Sequence, residues 1–179
     1  MFERIKHSSQ IQRITICAML IALGVVLKGV LSVSFPITSL GVKSMNIGFG
    51  MLPILLICVL YGPLYGCAGA LSWDVISAFV FPMGGFQPWF SISAALFGLI
   101  TGMFFIKTPS EKYTTLRIFT ACAVGQIAYS VIFNTFLLIW LFNLPAKPLF
   151  IARSLENLIM IPLNTLILSL IINKLKVID

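Results

Sequence analysis

The sequence predicts an all-α membrane protein: six transmembrane helices in a single bundle, with both termini cytoplasmic. Three observations carry this. Of its 179 residues, 59% are hydrophobic and only 9% charged, and the mean hydropathy is +1.06, a composition suited to lipid as solvent. At roughly 20 residues per crossing, the length supplies about six spans and leaves little for a soluble domain, so 1–179 form one unit. The cations alternate in the way such a parse requires. Arg4, Lys6, Arg13, Lys107, Lys112, Arg117, Lys174 and Lys176 share one side, and only Lys43 and Lys147 fall opposite. That is the positive-inside pattern of an even number of spans.

Six apolar stretches follow in order, at 14–35, 47–61, 63–81, 88–106, 116–142 and 149–172. The first has a basic leader before Ile14, but its length and the spans after it predict a retained helix rather than a cleaved signal. The second is short and contains Pro53. The third carries Asp74 behind Trp73. Pro36, Pro82, Pro88 and Pro145, with the Gly84-Gly85 pair, punctuate the connections and mark helix ends. Pro162 lies inside the last stretch, where it predicts a kink whose freed carbonyl needs neighbouring polar groups.

Several function classes are excluded at this level. The formal charge of +7 comes from cations scattered along helix flanks, which fits membrane topology and not a nucleic-acid face. Cys17, Cys58, Cys67 and Cys122 sit singly in apolar stretches and the one histidine, His7, lies outside them; neither a metal site nor a serine–histidine nucleophile is expected. No Gly-x-x-x-x-Gly-Lys-Ser/Thr loop is present, so ATP would be hydrolysed elsewhere, and no resident cofactor is implied.

What remains is a small set of polar groups at membrane depth. Apart from Arg117 at the very start of the fifth stretch, Lys28, Asp74, Arg153 and Glu156 are the charges that interrupt the apolar stretches; such groups cost several kcal/mol or more unless they meet a partner, a cavity or a ligand. On the last stretch Arg153, Glu156, Asn157, Met160 and Asn164 recur at spacings of three or four and share one face. Arg153 and Glu156 form either an orienting ion pair or a fork for a ligand carboxylate steadied by Glu156 or Asn157. On the fifth, Gln126, Ser130 and Asn134 draw a polar line that serves interhelical bonding or, at Asn134, the edge of a heterocycle. Asp74 has no basic neighbour on its own helix. It takes two N–H bonds from an amino-heterocycle stacked on Trp73 or Trp89, relays a proton, or pairs with Lys28. Lys28 itself either snorkels to the interface or faces a ligand. Ala18 and Ala22, four apart, offer a smooth surface for packing or for a partner.

Several stretches resemble one known family, the small six-helix substrate-binding S components of energy-coupling factor (ECF) vitamin transporters, and within it the folate-specific group. They are Gly48-Phe49-Gly50-Met51-Leu52-Pro53-Ile54, Tyr61-Gly62-Pro63-Leu64-Tyr65-Gly66, Asp74, and Phe81-Pro82-Met83-Gly84-Gly85-Phe86-Gln87-Pro88-Trp89-Phe90-Ser91-Ile92-Ser93-Ala94, with Ala152-Arg153 and Ile161-Pro162 toward the end. The resemblance covers nearly the whole chain. It implies a specificity subunit in the bacterial plasma membrane that does no covalent chemistry. Folate or a related vitamin would be captured outside, followed by toppling of the subunit in the bilayer. A transmembrane coupling subunit and two ATPases are the implied partners, with Ala18-Met19-Leu20-Ile21-Ala22 as the family's AxxxA docking motif. For folate's pterin ring and glutamate tail, Lys28, Trp73, Asp74, Phe86, Gln87, Trp89, Asn134, Arg153 and Asn157 are the candidate contacts, with the loop cations Lys43 and Lys147 as alternatives for the tail and the loops around Gly41 and Gly84-Gly85 able to close over the ligand. Trp89 stands where many folate relatives carry glycine, and either adds a stacking platform or reshapes the mouth for another flat ligand. A site for pantothenate or riboflavin, or a proton-coupled transporter working through Asp74, is the alternative.

Overall fold

The computed structural model describes residues 9–37, 42–81, 87–106, 115–143 and 145–177. Helix α1, Gln10–Val30, begins at a capping box: the Gln12 amide donates to Ser9 Oγ while the Ser9 amide donates to Gln12 Oε1. It ends at Val30, short of the expected 35. There the pattern changes from helical to alternating, Ser32-Val33-Ser34-Phe35, and residues Ser32–Ile37 form β1, paired antiparallel with β2, Val42–Gly48. Ser32 opposes Gly48 and Phe35 opposes Met45, with a register irregularity between Phe35 and Ile37. Pro36 lies at that point and has no N–H to give the ladder. The hairpin is a departure from an all-helical reading; apolar content alone does not separate a helix end from a short strand.

A 3-10 turn, Phe49–Met51, leads into α2, Leu52–Tyr61. The expected span from 47 is therefore part strand, part turn and part helix, with Pro53 in the first turn, where its missing N–H costs nothing. Ile54, Leu55, Ile57 and Cys58 of α2 are fully buried. A helix hydrophobic all round belongs inside a bundle, and α2 is the core around which the others stand.

Gly62, at φ +80°, turns the chain directly into α3, Pro63–Val80. Helix α4, Pro88–Met103, makes with α3 the most extensive helix pair of the fold. Their backbones meet at Gly66 and Gly98, where a Cβ on Gly98 would overlap the Gly66 carbonyl; the Cys58 thiol donates to the Gly98 carbonyl at 3.5 Å. The next rod is continuous but changes its winding: α5, Thr115–Gln126, passes into a π-helical segment, Ile127–Asn134, and then α6, Thr135–Phe142. Asn143, at φ 49°, closes it in the left-handed conformation that asparagine tolerates. Finally α7, Ala146–Val177, runs through Pro162 as one helix, and Thr165 Oγ1 donates to the Ile161 carbonyl at 2.7 Å.

Among the described residues three helical runs are long and apolar enough to cross a membrane, Gln10–Val30, Thr115–Leu141 and Ala146–Lys174; Phe49–Tyr61 and Pro88–Met103 are shorter apolar helices. The molecule is a helical membrane protein whose bulky outer side chains, Met19, Phe79, Phe136 and Leu158 among them, are exposed to the surroundings.

Gly98→Val forces α3 and α4 apart. Overpacking of this kind costs about 1–3 kcal/mol. A lower thermal midpoint in detergent is expected; an unchanged midpoint would show that the crossing yields freely.

Candidate functional site

A cavity of about 230 Å³ opens between α1, the turn before α2, α3, the π segment and α7. Its position follows from a close approach. Gly50 has no side chain, and a Cβ there would stand 2.9 Å from Lys28 Cβ and 3.1 Å from Trp73 Cζ2. The turn thus lets α1 and α3 converge, and Lys28 Nζ lies 4.7 Å from the centroid of the Trp73 ring. This is cation–π distance, and it gives the ammonium a partner where water is scarce. Asp74 adds a Coulombic attraction to the same ammonium. Gly48, the last residue of β2, borders the cavity, and β2 lies beside α7.

The opposite wall is polar. From α7, Arg153, Glu156, Asn157, Met160 and Asn164 all line the cavity, the same five residues whose spacing put them on one face. Arg153 Nη1 donates to Glu156 Oε2 at 3.2 Å, and Asn157 Nδ2 donates to the Arg153 carbonyl at 2.7 Å. The side chains of the pair are 21% and 15% exposed. One nitrogen is engaged by this bond, and a guanidinium carries five N–H donors in all. Gln126, Tyr129, Ser130 and Asn134 complete the wall from the end of α5 and the π segment. A π turn widens the helix and is frequent at functional sites. Here Thr135 Oγ1 donates to the Ser130 carbonyl five residues back, at 3.1 Å.

Four buried polar atoms in this lining have no hydrogen-bond partner: Trp73 Nε1, Gln126 Nε2, Ser130 Oγ and Asn164 Oδ1. Each such group costs about 1–3 kcal/mol when left unmet. They supply donors and an acceptor on both sides of one space, the arrangement that recognises a polar, flat guest.

The sequence-derived candidates separate here. Lys28, Trp73, Asn134, Arg153 and Asn157 line the cavity. Asp74 points toward α4, where Ser91 Oγ donates to its Oδ2 at 2.8 Å, and it is not among the lining side chains. Gln87 caps the start of α4, its carbonyl accepting from the Phe90 amide. Trp89 is 48% exposed and meets Trp140 edge to face, with ring centroids 6.1 Å apart. Phe86, Gly41 and the Gly84-Gly85 pair lie outside the described residues, as does the Lys43 side chain; Lys147 is exposed. Ala18 and Ala22 are exposed on the outer face of α1, away from the cavity. Met51 and Tyr129 are lining residues that the sequence did not single out. Tyr129 follows Gln126 by three, and that spacing was the available signal.

The comparisons agree with this architecture. The model of the family "ECF transporter, substrate-specific component" matches residues 12–172, and the chain belongs to that family, one of transport subunits. A folate transporter, FolT, of Clostridium novyi (strain NT) is 31% identical over 152 residues, which cover 84% of this chain and 82% of the relative. Two solved structures share the fold. The crystal structure of FolT bound with folic acid superposes with a TM-score of 0.69 at 24% identity, covering 86% of each chain. The S component of a bacterial ECF transporter superposes at 0.61 with 18% identity, covering 94% of this chain and 99% of that one.

The unmet Ser130 hydroxyl and the engaged Ser91 hydroxyl predict opposite outcomes. Ser130→Ala removes an unpaired buried group and should leave the ligand-free protein equally or more stable. Ser91→Ala strips Asp74 of its donor and should cost about 1–3 kcal/mol. Thermal unfolding of both variants without ligand checks this; equal losses would contradict it.

Proposed function

We propose that this chain is the folate-binding specificity subunit of an ATP-driven importer in the bacterial plasma membrane. The observation that carries the reading is the cavity itself, with an indole and an ammonium on one wall, a guanidinium and amides on the other, and four polar atoms awaiting partners. The family supports it, and so does the relative that is a folate transporter. At about 230 Å³ the space is below the roughly 300–1,000 Å³ usual for ligand pockets. It suits the flat pterin ring, with the rest of the molecule reaching toward the mouth. In this reading Trp73 stacks on the ring and Asn134 reads its edge. Arg153 and Lys28 hold negative charge, and Asn157 steadies Arg153 through its carbonyl. Asp74, engaged by Ser91, supports the site from behind.

The topology belongs to the same proposal. Six crossings place both termini in the cytoplasm and the cavity toward the outer side, because Lys28 is late in α1 and Arg153 early in α7. A coupling subunit docks on the small-residue surface of Ala18 and Ala22, which α1 leaves exposed, and two ATPases drive the toppling that delivers the vitamin.

Titration of the purified chain with folic acid should give saturable binding, and Arg153→Ala should weaken it by tenfold or more, about 1.4 kcal/mol. A protein that ignores folic acid but is stabilised against heat by riboflavin or pantothenate would overturn the vitamin assignment.

A further inference from the structure

Ser93 stands behind the cavity wall, and its single proton constrains what Asn134 shows to a guest. Its Oγ lies 2.8 Å from the Phe90 carbonyl oxygen and 2.8 Å from the position assigned to Asn134 Oδ1. A hydroxyl has one proton to give. Given to Asn134, it leaves two bare oxygens facing each other at the Phe90 contact; given to Phe90, it leaves the same conflict at Asn134. Ser93 is 2% exposed and Asn134 8%, so no bulk water screens that repulsion.

Only one of the two acceptors can change. The Phe90 carbonyl is fixed by its helix, whereas the oxygen and nitrogen of an amide are nearly the same size and exchange places by a half turn. With Asn134 turned, both short contacts become hydrogen bonds: Ser93 donates to the Phe90 carbonyl, and Asn134 Nδ2 donates to Ser93 Oγ. The Asn134 oxygen then faces the cavity beside the Tyr129 hydroxyl, which can donate to one of its two lone pairs and leave the other for a guest.

We propose that Ser93 is a positioning residue that locks the Asn134 amide with its oxygen toward the cavity, making that point of the wall an acceptor for an amino or ring N–H group. This deepens the folate reading and rests on it. The surroundings give the polarity its value. Lys28, Arg153, Trp73 Nε1 and Gln126 Nε2 all present donors. A ligand that carries its own donors has Glu156 and the unmet Asn164 Oδ1 as other acceptors, and an oxygen at Asn134 is the one that a second serine on α4 holds in place.

The test compares folic acid with its 2-oxo analogue, in which an accepting oxygen replaces the donating 2-amino group, by titration of the purified full chain. The native protein should prefer folic acid by about tenfold or more. In Ser93→Ala the amide is free to turn, and the preference should fall to about threefold or less; Ser93→Thr keeps the hydroxyl and should retain it. Asn134→Asp offers oxygen on both sides and should keep the preference whatever its absolute affinity, which also covers a Ser93→Ala protein that fails to fold. An equal loss for both compounds in Ser93→Ala, or a reversed preference in Asn134→Asp, would overturn the assignment. If the native chain binds neither compound, the folate reading falls, and the lock is judged separately by nuclear magnetic resonance of the ligand-free protein. Cross-peaks between the Asn134 side-chain amide protons and the Ser93 β-protons support it; their absence, with cross-peaks to cavity residues instead, refutes it.

Discussion

The structure depends on one constraint: a polar group carried on an apolar helix must meet another polar group, because the surrounding oil offers none. Lys28, Arg153, Glu156 and the amides of α5 and α7 answer it by turning toward a common space. The answer is incomplete within the protein alone. Arg153 has Glu156 and Asn157 has the Arg153 carbonyl, but Trp73, Gln126, Ser130 and Asn164 each keep an unmet atom. A fold that only needed stability would place apolar side chains there. Ser77 Oγ and Thr101 Oγ1 are unmet elsewhere in the core, but the four around the cavity face a space that a polar guest could fill.

Backbone closeness makes this arrangement possible. At Gly50 the turn before α2 sits against α1 and α3, and at Gly66 and Gly98 two helices touch main chain to main chain. Association in lipid gains little from hydrophobicity and much from such contact. The result is a closely packed scaffold of α2, α3 and α4 in which Trp73 is buried, with the π segment and α7 presenting the polar wall across from it. Helix α1 bridges the two functions. One face carries Lys28 to the cavity, and a different face leaves Ala18 and Ala22 bare.

Much of this was readable in one dimension. The spacing of Arg153, Glu156, Asn157, Met160 and Asn164 requires one helix face, and all five line one cavity. The same holds for Gln126, Ser130 and Asn134, even though the helix there winds more loosely than spacing assumes. Asp74 shows the opposite case. Its isolation on its own helix marked it as needing a partner, but nothing local could say that the partner would be Ser91 on α4. Trp89 looked like a ring platform from its neighbours in sequence, and the structure stacks it edge to face against Trp140 on the exposed side. The hairpin escaped for a different reason: Ser32-Val33-Ser34-Phe35 is too short for its alternation to outweigh the apolar helix it follows.

By itself, then, the sequence determined the solvent this protein lives in, its predominantly helical character, and which face of the fifth and last apolar stretches carries polar atoms, since hydropathy and a 3.6-residue period are local properties. Only the tertiary structure decided which faces meet. That choice is made by how deeply two backbones can approach at a glycine and how a helix is rotated when it packs. Those quantities belong to pairs of distant segments, and no single stretch of chain contains them.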